Sequence, residues 1–379
     1  MTAAEAISSE ALRELAEFRA SRGVVVSLSL GVDPARAGMP AEIASRLDSL
    51  VAQGRREGRT VLAGVGHAER QAFDEDLARA AAEARSAIGA VSVACFADGP
   101  DGLWRSAAVP GRLPDVVKVG RFPYLVPLMS AGLNEQALAV AVSRERGEIF
   151  RLRSGRLEQL VDLSEQQPRR HRDAEAWQQA RLERHVDELA RAHLGRIAVQ
   201  LDRLVAANPS AGLILAGEHE HVAALEALLS HDARAAVVGA VRVEAHAGMA
   251  ELERLILPLL DQKARQEERA VVERWRSELG ERGRAAQGWT DTLGAACNGR
   301  VALLLFTAGA AGAARRCPIC GRASPAGESC AVDGARLEIE PDALDLVIRL
   351  TLAHGGKARL IHDEPGLNAD DGVGALLRF

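Results

Sequence analysis

The chain has 379 residues and a mass of 40.3 kDa, a length that suits two or three domains. Hydrophobic residues make up 47% and charged residues 26%, which excludes a largely disordered chain. A net charge of −5 excludes a general polyanion binder, and no apolar stretch approaches the roughly 18 residues of a membrane-spanning helix.

Residues 1–20 carry four glutamates and predict an amphipathic helix. They lack the basic start and apolar middle of a signal peptide. The chain has five cysteines, three of them clustered, which argues against a disulfide framework and favours a reducing compartment. We therefore expect a cytoplasmic protein with no membrane partner.

Residues 1–125 alternate between strand and helix patterns and predict an N-terminal α/β domain. The run at 24–30, which opens with three β-branched valines, predicts a buried strand, and residues 60–65 predict a second strand. Helices are predicted at 41–53 and 68–87, followed by a hairpin of 90–96 with 103–109. The proline-flanked stretch 110–124 is predicted as a link to the next domain.

Residues 126–245 predict a central domain that opens with a three-stranded meander. Its strands are expected at 137–143, 148–153 and 156–163. A long helix is expected at about 174–207, with one apolar face given by a spacing of three and four residues. That face consists of Leu182, Val186, Leu189, His193, Ile197, Leu201 and Leu204. A buried strand at 212–217 and a helix at 221–229 follow.

Residues 246–379 predict a C-terminal α/β/α sandwich with a cysteine-rich insert at 317–333. The helices are expected at 249–280, 287–298 and 343–354. The strands are expected at 301–306, 357–362 and 372–379.

The insert carries the most specific motif of the chain. Cys317 and Cys320 form one C-x2-C turn, and Cys330 and Asp333 occupy the same spacing in a second turn. Two such turns present four ligands to a tetrahedral zinc ion, for which a carboxylate is an acceptable fourth ligand. A structural zinc is the first reading; a turn that has lost its metal and a redox site are the alternatives.

A basic segment precedes the long helix and contains Arg169, Arg170 and Arg172. The first interpretation of this basic segment is a solvated surface loop that leads into an amphipathic helix. Trp177 favours a second reading, because a tryptophan can stack on a base or ribose while arginines hold phosphates.

Three segments resemble the class-one peptide-chain release factors of archaea and eukaryotes and their paralogue Pelota. They are the long helix at 180–201, the strand Gly212–Gly217 and the final residues 372–379. The insert also stands where archaeal members place a zinc knuckle, and the order agrees from 130 to 379. Residues 1–125 show no match to that family's decoding motif, so the resemblance is closer to a bacterial branch of the superfamily, whose first domain differs.

The resemblance implies an RNase-H-like central domain and a last domain similar to kink-turn-binding ribosomal proteins. In the family, a Gly-Gly-Gln motif before the long helix enters the peptidyl-transferase centre, where the glutamine helps water attack the peptidyl-tRNA ester. Bacterial members carry a looser Gly-Gly-Trp-x-Gln. The matching stretch here is 175–179, with both glycines replaced by Glu175 and Ala176 and with Trp177 and Gln179 retained.

Two functions follow from the resemblance. In the first, Gln179 is catalytic in a release or rescue factor that hydrolyses peptidyl-tRNA, and the surrounding side chains bind RNA. In the second, the chain occupies the ribosomal A site without catalysis, as hibernation factors do. The ribosome, with its rRNA and tRNA, is the implied partner in both, and a translational GTPase is a further one. The RNA-binding residues would be Arg169, Arg170, Arg172, Trp177, Gln178 and Arg181.

Overall fold

The computed structural model describes residues 7–31, 40–86, 92–109, 113–130, 137–153, 156–164, 176–208, 211–281, 283–362, 365–368 and 371–379. They form two compact units: the terminal unit, Met1–Leu133 with Glu268–Phe379, and the central unit, Asn134–Glu267. The predicted mixed α/β class is confirmed. Division into domains 1–125, 126–245 and 246–379 stays a prediction. Within these ranges, no helix is long and apolar enough to cross a membrane.

The first part of the terminal unit is one antiparallel sheet with two helices on one face. Its elements are helix α1 (Ser9–Glu17), strand β1 (Val25–Leu30), helices α2 (Pro40–Val61) and α3 (His67–Ser86), strands β2 (Ser92–Asp98), β3 (Leu103–Val109) and β4 (Val116–Gly120), and helix α4 (Val126–Ser130). The strand order is β3-β2-β1-β4. Every residue of β1 is buried, and its two serines are hydrogen-bonded: the N–H of Tyr124 donates to Ser27 Oγ at 2.9 Å, and Ser29 Oγ donates to the carbonyl of Pro114 at 2.7 Å. The helices α2 and α3 bury Leu47, Phe73 and Leu77 against the sheet.

Two predictions for this part are wrong. Residues 60–65 hold the end of α2 and a turn at Gly64, whose φ is 86°. In that stretch, Leu62 is buried against the same core as α3, so the apolar run marks a helix end and not a strand. The predicted link at 110–124 contains β4, an edge strand whose Val117 is fully buried. The prolines around it favoured a linker, and the strand itself has only five residues, too few for a clear pattern.

A buried carboxylate lies at the end of β2. Asp98 has no exposed surface, and neither of its oxygens accepts a hydrogen bond of ordinary geometry from the described residues. Gly23 permits this packing, because a Cβ there would lie 2.3 Å from Asp98 Oδ1. Burial, followed by repulsion from Asp101, raises the pKa of Asp98 to about 6.

We expect this carboxyl to make the protein more stable in mild acid. A folded-state pKa above the unfolded value gives stability that is complete below the unfolded pKa and is lost as pH rises through about 6. Asp98→Asn removes the charge, so it should raise the free energy of unfolding by about 1–2 kcal/mol at about pH 7.5 and change it little at about pH 4. Urea unfolding at both pH values measures this. A change in stability of equal size at the two pH values would contradict the assignment.

The central unit is a five-stranded mixed sheet with helices on both faces. Its elements are strands β5 (Ala137–Val142), β6 (Gly147–Arg153) and β7 (Arg156–Asp162), helix α5 (Ala176–Ala207), strand β8 (Gly212–Gly217), helices α6 (His219–Leu228) and α7 (His231–Ala235), strand β9 (Val237–Val241), and the start of helix α8 (Met249–Glu281). The order is β7-β6-β5-β8-β9, with β8 parallel to both of its neighbours. The predicted meander, long helix and following strand are confirmed.

The described part of α5 buries one face against this sheet. His193, Ile197 and Leu201 of the predicted apolar face have no exposed surface. Ile197 and Leu201 pack in one cluster with residues of β5, β6 and β8. Gly147 lets β6 come close to the helix, because a Cβ there would lie 2.7 Å from Ile197 Cδ1. The side chains of Leu182 and Val186 lie outside the described residues.

The remainder of the terminal unit contains two small sheets. Its elements are β10 (Ala285–Gln287), α9 (Gly288–Cys297), β11 (Val301–Thr307), β12 (Ala314–Arg316), β13 (Ala323–Ser324), β14 (Glu338–Glu340), α10 (Ala343–Ala353), β15 (Lys357–Ile361), α11 (Pro365–Asn368) and β16 (Val373–Leu377). One sheet has the order β10-β16-β11-β15, and the other, β13-β12-β14, carries the cysteine insert. The second sheet lies outside the predicted elements.

One core joins the two parts of the terminal unit. Leu304 of β11 and Leu346 of α10 lie in the same cluster as Phe96 of β2. On the opposite face of β11, Leu305 packs with Trp275 near the end of α8. Burial of both faces explains why β11 reads as an uninterrupted apolar run.

Candidate functional site

The cysteine insert folds into two similar turns. In the first, the N–H of Gly321 donates to the carbonyl of Cys317 at 3.0 Å; in the second, the N–H of Gly334 donates to the carbonyl of Cys330 at 2.9 Å. Both glycines have φ of 74°, a left-handed conformation that other residues adopt at a cost. Glycine directly after each C-x2-C or C-x2-D unit is therefore required by the turn itself.

The two turns bring all four predicted metal ligands together. One ligand atom from each of Cys317, Cys320, Cys330 and Asp333 lies within 4.8 Å of every other. Cys320 Sγ and Cys330 Sγ are 3.5 Å apart, and Cys317 Sγ lies 3.3 Å from Asp333 Oδ2. Zn–S bonds of about 2.3 Å in tetrahedral geometry place neighbouring ligands about 3.5–4 Å apart. The cluster therefore fits a tetrahedral metal ion.

Backbone amides favour the deprotonated ligands that a metal needs. N–H groups of Val332 and Asp333 hydrogen-bond to the Cys330 thiolate and lower its pKa. The N–H of Ala335 donates to Asp333 Oδ1 at 3.0 Å and is the largest influence that lowers the pKa of Asp333 to about 2. These hydrogen bonds favour the charged forms of Cys330 and Asp333, which are the forms that bind a metal.

The predicted catalytic and RNA-binding residues lie at the start of α5. The helical backbone begins at Ala176, so Trp177, Gln178, Gln179 and Arg181 occupy its first two turns. Only their backbone belongs to the described part of the chain. The other predicted RNA-binding residues, Arg169, Arg170 and Arg172, lie outside the described residues.

A further group of side chains meets at the surface of the terminal unit and belongs to none of the predicted sites. The guanidinium carbons of Arg349, Arg316 and Arg19 lie 4.0, 4.8 and 5.9 Å from the centroid of the Phe122 ring. All three distances are within the range of cation–π contact, about 6 Å. The four residues are far apart in the sequence, and no motif or spacing connects them.

Comparison with known families assigns the central unit. Residues 123–267 match the sequence model of Bacterial archaeo-eukaryotic release factor family 10. These residues are similar to the bacterial branch of the release-factor superfamily, and the match covers less than half of the chain. The predicted resemblance is thereby confirmed for the segment that holds the meander, α5 and β8. The cysteine insert and the final residues 372–379 lie outside the match.

Solved structures of this superfamily share low sequence identity with the chain. Archaeal translation termination factor aRF1 is 15% identical, with coverage of 98% of this chain and 99% of its own, and has a TM-score of 0.28. Ribosome-bound archaeal Pelota is 13% identical, with coverage of 76% of this chain and 77% of its own, and has a TM-score of 0.42. S. cerevisiae Dom34 is a translation termination-like factor that interacts with Hbs1. It is 11% identical, with coverage of 76% of this chain and 80% of its own, and has a TM-score of 0.41. No protein of curated function matches the chain.

Proposed function

We propose that the protein is a ribosome-associated translation factor that places the start of α5 at the peptidyl-transferase centre. The observation that carries this proposal is the family match over 123–267, which includes the predicted site. The sheet of the central unit, with three antiparallel strands continued by two parallel ones, supports an RNase-H-like assignment.

Gln179 is the proposed catalytic residue. Its amide would orient a water molecule toward the ester of peptidyl-tRNA, and Trp177 would pack on RNA. The basic residues before the helix, Arg169, Arg170 and Arg172, would neutralise phosphates, with Gln178 and Arg181 as further RNA contacts. Hydrolysis in termination or rescue is the activity that this arrangement supports.

A second candidate is occupation of the A site without hydrolysis. Two observations favour it. Glu175 and Ala176 replace the glycines of the family motif, and neither has glycine's conformational freedom. In addition, Gln179 has a helical backbone and does not lie in an extended loop.

The cysteine insert is proposed as a structural zinc site. Two of its ligands, Cys317 and Cys330, are buried against Leu337, so the ion would fix the insert and not face a substrate pocket. A translational GTPase remains a proposed partner, and the superfamily assignment motivates it.

Co-sedimentation with purified 70S ribosomes tests the shared part of both functions. We expect the protein to pellet with ribosomes at low salt and to be released as salt rises, because arginine–phosphate contacts are salt-sensitive. A protein that remains in the supernatant at every salt concentration, while circular dichroism shows it folded, would contradict ribosome association.

A further inference from the structure

The arginines around the Phe122 ring differ in their acidic partners. Arg349 is buried, and it donates to Asp345 at 2.7 Å and to Glu340 at 3.0 Å. Among the described residues, neither Arg19 nor Arg316 forms an ion pair. Two of the three positive charges therefore have no carboxylate within ion-pair distance among the described residues, and Glu340, which pairs with Arg349, attracts Arg316 only from farther away.

Arg316 is the least favourably placed of the three. Its Nε donates to the carbonyl of Gly321 at 3.3 Å, but its Nη1 is buried without a hydrogen-bond partner in the described chain. This nitrogen has no accessible surface, so an anion from solvent would act on Arg316 through its charge, by reducing the repulsion among the three guanidiniums.

The cluster is open to a ligand from outside. Arg19 is exposed on the segment between α1 and β1, while Phe122 and Arg316 are half-buried. A guanidinium that stacks on an aromatic ring keeps its N–H donors in its own plane, pointing away from the ring. The donors of the exposed Arg19 are therefore directed away from the ring, and the half-buried Arg316 adds a second positive charge at the same ring.

We propose that Arg19, Arg316 and Phe122 form a binding site for the phosphodiester backbone of RNA. Paired planar guanidiniums suit phosphate, which accepts two parallel hydrogen bonds from each. The choice of RNA over another polyanion rests on the proposed ribosome association. The site belongs to the terminal unit, whereas the start of α5 belongs to the central unit.

Fluorescence anisotropy with a labelled oligouridylate of about 12 nucleotides tests the site in the full chain. Arg19→Gln and Arg316→Gln should each weaken binding about tenfold at low salt, the loss of one charge-assisted contact. Each should also reduce the slope of log Kd against log salt by about 0.7. Phe122→Leu, which keeps an apolar side chain, should weaken binding in the same direction.

Arg315→Gln is the matched control. It removes the same charge from the neighbouring position of β12, on the opposite face of the strand, and should leave binding and slope unchanged. Arg19 is exposed, so its variant tests the site even if Arg316→Gln perturbs the insert.

Three results would overturn the proposal: no binding by the wild type, unchanged binding by Arg19→Gln, or equal losses in Arg315→Gln. Ribosome co-sedimentation run beside it separates the two proposals. Oligonucleotide binding that depends on Arg19, in a protein that fails to pellet, would reject the ribosomal function and retain the RNA site. A protein that pellets with ribosomes, but whose oligonucleotide binding does not depend on Arg19, would retain the ribosomal function and reject the RNA site.

Discussion

Purified protein is expected to release labelled peptide from stalled ribosome–nascent-chain complexes, and Gln179→Ala is expected to slow that release about 100-fold or more. The reason is that a positioned group that accepts a proton or orients water raises the rate of such a step about 10²–10⁴-fold. The measurement is the initial rate of peptide release under single-turnover conditions. Ribosome binding is measured on the same samples, so that lost activity is distinguished from lost association.

Gln200→Ala is the matched control for this experiment. It removes the same amide from the same helix, 21 residues or about 30 Å farther along α5, and should keep the rate within about threefold. Equal losses in both variants would indicate damage to α5 and not a role for Gln179. No release by the wild type, with ribosome binding intact, would contradict hydrolysis and support A-site occupation without catalysis.

The second large effect concerns the metal. We expect about one zinc ion per chain by elemental mass spectrometry, and almost none in Cys320→Ser after dialysis against a chelator. Cys320 is exposed, so its variant removes a ligand without opening a cavity in the core. Asp333→Cys should restore a four-thiolate site and tighten zinc binding by roughly tenfold or more.

Cys297→Ser is the control for zinc binding. Cys297 Sγ accepts a hydrogen bond from the N–H of Ala323 at 3.1 Å and does not belong to the ligand cluster. Its variant should keep the full metal content. Equal zinc in Cys320→Ser and Cys297→Ser would contradict the site, and absence of metal from the wild type in zinc-supplemented growth would favour a turn that has lost its ion.

Sequence patterns predicted the elements that bury whole faces. The strand β1 lies in a short, mostly apolar run of which every residue is buried, and the helix α5 repeats apolar residues at a spacing of three and four over enough positions for its period to be unambiguous. The elements that escaped prediction are short or partly exposed. The strands β12, β13 and β14 have two or three residues each, and β9 has no fully buried residue.

The two candidate sites of the terminal unit differ in how far sequence could predict them. The spacing of the two turns indicated the four candidate metal ligands, Cys317, Cys320, Cys330 and Asp333, because each turn fixes two of them locally. Arg19, Phe122 and Arg316 meet only because the two parts of the terminal unit share one core. A contact made by tertiary packing leaves no local spacing, and sequence reasoning therefore missed it.

The most direct test of the proposed function asks where Trp177 lies on the ribosome. A photo-crosslinking amino acid at position 177 should attach the protein to large-subunit rRNA at the peptidyl-transferase centre. The same probe at Val199, which is 51% exposed in the part of α5 that packs on its own sheet, is the control and should not reach that rRNA. Cross-links from position 177 that map elsewhere, or that match those from position 199, would contradict the placement of α5 on which both proposed functions depend.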